Sequence, residues 1–325
     1  MVEPVQNPAE VARRRPAQGH WSRAWHRLLG KKVALASLVV IIGIYTSGIF
    51  APLIAPYDYS TQDLTQTRRG PSLEHPFGTD RLGRDLLSRV IYGLRTTVIV
   101  SVASVVSGAL FMGVALGLVS GYFGKRVDSL IMRTGEVSAA FPEILLLILL
   151  AATMRPRILD FVRGIEDSFG FRGLVQTGIV DYFVIALAVA AFSWFGMARL
   201  VRGQVLSLRS AEFVDAARAL GAPTSRILFS HLLPNISGLI IVVITLGLGG
   251  AAGSEFILSF LGIGVQPPVP SLGAMVAEGF GIGNLSLLRQ YPHLILFPIG
   301  VIFLLLFAFN LLGDALADVF NPKTR

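Results

Sequence analysis

The strongest constraint on this chain is a set of long apolar runs without a charged side chain. From Val33 to Tyr57 there is no Asp, Glu, Lys, Arg or His, and from Thr96 to Gly124 there is again none. A membrane helix needs roughly 20 such residues to cross about 30 Å of hydrocarbon. Four further stretches are candidates: Val137 to Met154, Val180 to Ala198, Ile236 to Leu261, and Leu294 to Leu312. Glu143, Asp181 and Glu255 lie near ends of these runs, where a carboxylate can reach the interface or face protein. Composition agrees, with 53% apolar residues against 15% charged and 34 glycines. Membrane helices tolerate such glycine because they pack backbone against backbone. The expected fold is all-α: a polytopic membrane protein with six transmembrane helices.

Orientation follows from the basic residues beside the spans. Arg13, Arg14, Arg15, Arg23, Arg27, Lys31 and Lys32 precede the first span and are expected to stay in the cytoplasm. Alternation then places segments 125–136 and 199–235, and the C-terminus, on the same side. The outer segment from Asp58 to Arg95 is itself basic and weakens the bias. Tyr57, Tyr92, Tyr122, Tyr182 and Tyr291 fall near span ends, as an interfacial belt requires. The first 32 residues are too long and polar for a cleaved signal peptide, so span one reads as an uncleaved anchor. Trp21, Trp25, Leu28 and Leu29 share a helical face, which suits either a helix lying on the inner leaflet or a disordered tail. Met1 to His20 is expected to be disordered.

The chemistry excluded is broad. With no cysteine there is no disulfide, thiolate metal site or cysteine nucleophile. No stretch fits the phosphate-binding pattern G-x-x-x-x-G-K-[ST], since Gly30-Lys31-Lys32 and Gly124-Lys125-Arg126 lack its other members. His20, His26, His75, His231 and His293 show no metal-ligand spacing. The formal charge of +8 is read as retained loops and membrane contact rather than nucleic-acid binding. No enzyme chemistry, cofactor or metal is expected in this chain.

The segment between spans four and five is too long for a simple return. Ser210 is expected to cap a helix carrying Glu212 in its first turn, with Phe213, Ala216, Ala217 and Leu220 as an apolar stripe and Asp215 paired to Arg218. Gly221 supplies a left-handed C-terminal cap, Pro223 prevents continuation, and Thr224 is expected to cap a second short helix through Arg226, Ile227, Leu228 and Leu232. The run Asp215-Ala216-Ala217, then Gly221, then Leu233-Pro234 resembles the EAA loop of binding-protein-dependent ATP-binding-cassette (ABC) importers. Asp215 stands where that family usually has Glu, and His231 where a branched apolar residue is common.

Two further segments narrow the resemblance to the C-type permeases of the dipeptide, oligopeptide and nickel importers. One is Gly78-Thr79-Asp80, Gly83-Arg84-Asp85, Ser88-Arg89, then Gly93 and Arg95. The other is Ser259 to Pro268, then Pro270-Ser271 and Gly273, with Leu272 where a tryptophan is often found. From the residues themselves, Thr79 or Asp80 is positioned to cap a helix entering span two, and Arg84, Asp85 and Arg89 are available to pair. A solvated charged face fits equally. The prolines at 267–270 force an extended excursion, either a gate or a rigid loop.

The resemblance implies a type I ABC importer permease fold with both termini cytoplasmic. It implies a tail at 1–32, a first helix at 33–57, an external segment at 58–92, a permease core at 93–320 with a coupling loop at 199–235, and a tail at 321–325. The implied partners are a second homologous permease, two ATPase subunits carrying ATP and Mg, an extracytoplasmic solute-binding protein, and lipid, in a prokaryotic plasma membrane. The implied solute is a di- or oligopeptide; nickel, opine or glutathione import is the alternative within the class. Glu143, Asp181, Glu255 and Glu278 leave a proton-coupled carrier as the rival, although no internal repeat is found. Gly117-x-x-x-Gly121 and Gly249-x-x-x-Gly253 read as helix-packing positions.

Overall fold

The computed structural model describes residues 26–170, 173, 175, 177–281 and 289–320. The expected interfacial helix around Trp21 lies outside them except for a helical turn at 26–29, and so do the tails at 1–20 and 321–325. The described residues form helices without a named strand; an isolated bridge joins Thr79 and Asp85.

Helix α1, Lys32–Ile49, is shorter than the apolar run that predicts it. The chain turns at Phe50 into a single helical turn, Ala51–Ile54, because Pro52 can start a helix but not continue one. Helix α2, Leu86–Phe123, begins inside the segment expected to be external. Its middle, Val105–Gly113, is wound as a π-helix. A Cβ added at Gly108, Gly113, Gly117 or Gly121 would come within 2.7 Å of helix α5, Ile179–Leu208, at Ser193, Ala190, Met197, Ala198 or Val205. Five residues separate the first two of these glycines and four the others. The wider π turn keeps all four on one face, so the two backbones run in contact. Gly249 likewise meets Phe309, whereas Gly253 is looser.

The third expected span is not one helix. Helices α3, Lys125–Ala139, and α4, Glu143–Phe169, meet at 90°, and Val137 to Met154 straddles the bend. Pro142 disfavours helical geometry at Phe141, which breaks the run. Among the described residues five helices are long and apolar enough to cross a membrane, and counting the bent pair as one gives six. Helix α5 extends beyond the expected Ala198 to Leu208, because its polar last turns remain helical outside the apolar stretch.

Helix α6, Glu212–Ala219, is followed by α7, which runs unbroken from Thr224 to Phe260. The expected second short helix and fifth span are therefore one element. Its turns at Ile227–Leu232 are π-wound directly before Pro234, which has no N–H to offer the preceding turn. Helix α8, Leu272–Phe280, is capped by Ser271, and α9 is His293–Phe320. One apolar core joins α2, α5, α6, the start of α4 and α7 along its length; a second joins α1, the start of α2, α8 and α9.

Candidate functional site

Two poles, at opposite ends of α2 and α7, collect the residues singled out in the sequence. At the first, Asp85 and not Thr79 or Asp80 caps α2: its carboxylate accepts from the Ser88 N–H and hydroxyl, each at 2.7 Å. A side chain one position before the first helical residue is where an N-cap oxygen can reach the third N–H, and only Asp85 stands there. His75 Nδ1 pairs with the other oxygen at 2.9 Å. Thr79 is fully buried and its hydroxyl donates to the Gln66 carbonyl while accepting from the Arg69 N–H. Gly78 has φ of 80° and a Cβ there would strike the Arg69 carbonyl; Gly83 is pressed against the Asp63 backbone.

The charges do not form a solvated face. Asp80, Arg84 and Arg89 are buried together. Arg84 Nε donates to Asp80 at 2.6 Å and Arg89 Nη1 to the same carboxylate. Glu278 of α8 closes the set, accepting from Arg84 Nη2 at 3.2 Å and Arg89 Nη1 at 3.1 Å. Burial alone would raise the Asp80 carboxyl. The guanidinium groups of Arg89 and Arg84, with the Arg84 and Leu82 N–H groups, outweigh it and hold Asp80 below the usual carboxylate range. The sequence pattern contained three of these four groups; Glu278 stood out only as a separate carboxylate, and its distance along the chain gave no sign that it joins them.

The proline link beside this pole is rigidly held. Thr96 donates to the Pro270 carbonyl at 2.9 Å, and the Gln266 N–H to Asp181 at 3.0 Å. Arg155 of α4 donates to the other Asp181 oxygen at 2.7 Å, so one carboxylate ties α4, α5 and the link. Leu272 is fully buried where α8 meets α2. Glu255 has no exposed surface and accepts from Thr97 at 2.9 Å and Ser259 at 2.8 Å, joining α7 to α2. Glu143 is exposed in the first turn of α4.

At the other pole stands the hairpin of α6 and the start of α7. Ala211, not Ser210, occupies the N-cap of α6, and Pro223, not Thr224, that of α7, with no side-chain cap at either. Glu212 is exposed in the first turn, and Asp215 accepts from Arg218 at 2.9 Å. Gly221 has φ of 76° in open space. Of the expected stripe only Ala217 is buried, beside Val214, which the stripe did not include. Val214 and Ala217 are buried against the chain's own core, whereas Phe213, Ala216 and Leu220 are exposed, Leu220 by 88%. The three exposed residues lie at i, i+3 and i+7 and so share one uncovered face. Leu233 and Pro234 are in α7.

Residues 113–325 match the family described as binding-protein-dependent transport system inner membrane component, and residues 19–76 match the N-terminal TM domain of oligopeptide transport permease C. The oligopeptide transport system permease protein OppC of Bacillus subtilis is 39% identical over 94% of this chain and 90% of its own length. The dipeptide transport system permease protein DppC of the same organism is 38% identical over 96% and 88%. The glutathione transport system permease protein GsiD of Pectobacterium atrosepticum is 35% identical over 97% and 95%. The glycine-packed helices, the buried charge node and the hairpin thus sit in a chain that belongs to the inner membrane permease component of binding-protein-dependent transport systems.

Proposed function

We propose that this permease imports di- or oligopeptides and does so as one part of a larger assembly: a second homologous permease, two ATPase subunits holding ATP and Mg, and an external solute-binding protein. On this reading the N-terminus, the hairpin and the C-terminus are cytoplasmic, the Gly78–Arg89 node and the proline link are external, and the chain has no catalysis or cofactor of its own. The division into a first helix, an external segment and a core of about 93–320 belongs to the same reading. Its support in the solute is that the similar permeases named above carry oligopeptide, dipeptide or glutathione in their names.

The observation that carries it is α7. One uninterrupted helix of 37 residues leads from the hairpin, with its uncovered apolar face at Phe213, Ala216 and Leu220, to the link at Gly262–Pro270. Such a face calls for a protein partner, and the helix connects that partner to the opposite pole. In a proton-coupled carrier the buried carboxylates would be the working parts. Here Asp181 and Glu278 are held by arginines, and Glu255 by two hydroxyls.

The test is peptide uptake into proteoliposomes containing the permease pair, the ATPases and the binding protein. Uptake should require internal-face ATP and persist with a protonophore. Uptake that ignores ATP and collapses with the protonophore would replace the importer with the carrier.

A further inference from the structure

Beside the charge node, a recess of about 20 Å³ opens between α2, α8 and the preceding loop, lined among others by Arg68, Asp80, Arg81, Arg89, Met275 and Glu278. Its charges do not balance. Both carboxylates are engaged by Arg84 and Arg89. Arg68 and Arg81 form no ion pair among the described residues, and residues 282–288, which follow α8, contain no Asp or Glu. Two positive charges are left over.

Arg89 adds an independent sign. Its Nη1 and Nη2 are taken by Asp80 and Glu278, but its Nε–H is buried without an acceptor. A buried charged donor without an acceptor is uncommon in a native fold; this Nε is closed off from solvent, so an acceptor in the recess that Arg89 lines reaches it only when the side chain shifts. Arg68 is delivered to the recess by a fixed backbone: its φ is 52°, its N–H donates to the Asp80 carbonyl at 2.9 Å, and its guanidinium lies 5.6 Å from the centre of the Tyr291 ring. The basic surplus of this segment, which runs against the usual charge distribution around membrane spans, thereby acquires a use.

We infer that this recess is a binding site for a single carboxylate group. A cation is opposed by the surplus charge, and a primary amide would bring its own donors against arginine. A carboxylate accepts only, and guanidinium groups recognise it through charge-assisted hydrogen bonds. The recess is open to solvent on one side, so a carboxylate can enter it end-on. The carboxylate comes either from a free small acid or from the end of a transported solute.

The experiment uses the full chain in nanodiscs and saturation-transfer NMR of the acetate methyl group. Acetate should receive saturation, formate should displace it, and acetamide at the same concentration should give none. Arg68→Gln with Arg81→Gln should weaken acetate binding about tenfold or more, as loss of charged hydrogen bonds implies. The corresponding Lys pair should restore part of it. Neither arginine belongs to the ion-paired node, so the thermal midpoint should stay near that of the unaltered chain. Acetamide binding as well as acetate, or acetate binding untouched by the double variant, overturns the site. Alanyl-alanine and its C-terminal amide then separate the sources. Competition by the free acid alone identifies the solute's carboxylate, and competition by neither identifies a free acid. Only this last arm rests on the peptide-importer reading, and the proteoliposome assay tests that reading separately.

Discussion

Asp80 accepts from two arginines at once, and the cost of removing it follows from what is left behind. Asp80→Asn leaves Arg84 and Arg89 buried with only Glu278 between them. Breaking a buried pair in this way costs about 3–5 kcal/mol, and the loss should register as a lower thermal midpoint or lower abundance. The pH dependence has a definite sign. Because the folded-state carboxyl is depressed, its stabilisation is fully present above the ordinary carboxylate value of about 4 and disappears as pH falls through the lower folded value. Thermal midpoints from neutral to strongly acidic pH should therefore fall less steeply for Asp80→Asn than for the unaltered chain; parallel curves would remove Asp80 from the node. Glu255 gives the opposite kind of expectation. Its two partners are hydroxyls that can donate or accept, so Glu255→Gln should cost no more than about 1 kcal/mol and leave uptake intact, whereas a proton relay would be abolished. At this scale the sequence was informative about Asp80, Arg84 and Arg89, because they are close along the chain. It singled out Glu278 and Asp181 only as carboxylates near hydrocarbon and was silent about Glu278 joining Arg84 and Arg89 and Asp181 joining Arg155 and Gln266, because those meetings depend on tertiary packing.

Among elements, the hairpin separates residues that a helical wheel had grouped. Ala217 faces its own core, so Ala217→Arg would unfold the local packing and say nothing about partners. Ala216→Arg places the same bulk and charge on the uncovered face. It should leave abundance near normal while releasing the ATPases on purification and abolishing ATP-driven uptake; retained ATPases with normal uptake would remove this face from the coupling assignment. Gly221 should behave by conformation alone, since a Cβ there meets nothing. Asn tolerates the left-handed region and Val does not, so Gly221→Asn should keep coupling and Gly221→Val should lose it. The pairing of Asp215 with Arg218 and the turn at Gly221 were legible because both are local. Other boundaries were not, for identifiable reasons. Helices outlast the apolar stretch that marks a span, which hid the true ends of α2, α5 and α7. Pro142 breaks an apolar run that hydropathy reads as continuous, and α8 is too short to leave a strong periodic signature.

For the whole molecule, topology has the most direct test. Alkaline phosphatase joined after Ser72 should be active, and joined after Gly221 or Lys323 inactive, because basic flanks retain those segments in the cytoplasm. Activity after Gly221 would reverse the assignment of the two poles. The architecture also sets a mechanical ratio. Helix α7 spans 37 residues, roughly 55 Å at 1.5 Å per residue. If it pivots near one end, a tilt of only about 5° carries its far end through roughly 5 Å over that length. A small angular displacement of a few turns of helix at the hairpin is then amplified into a movement as wide as a strand spacing at the proline link, without any bond within α7 having to stretch.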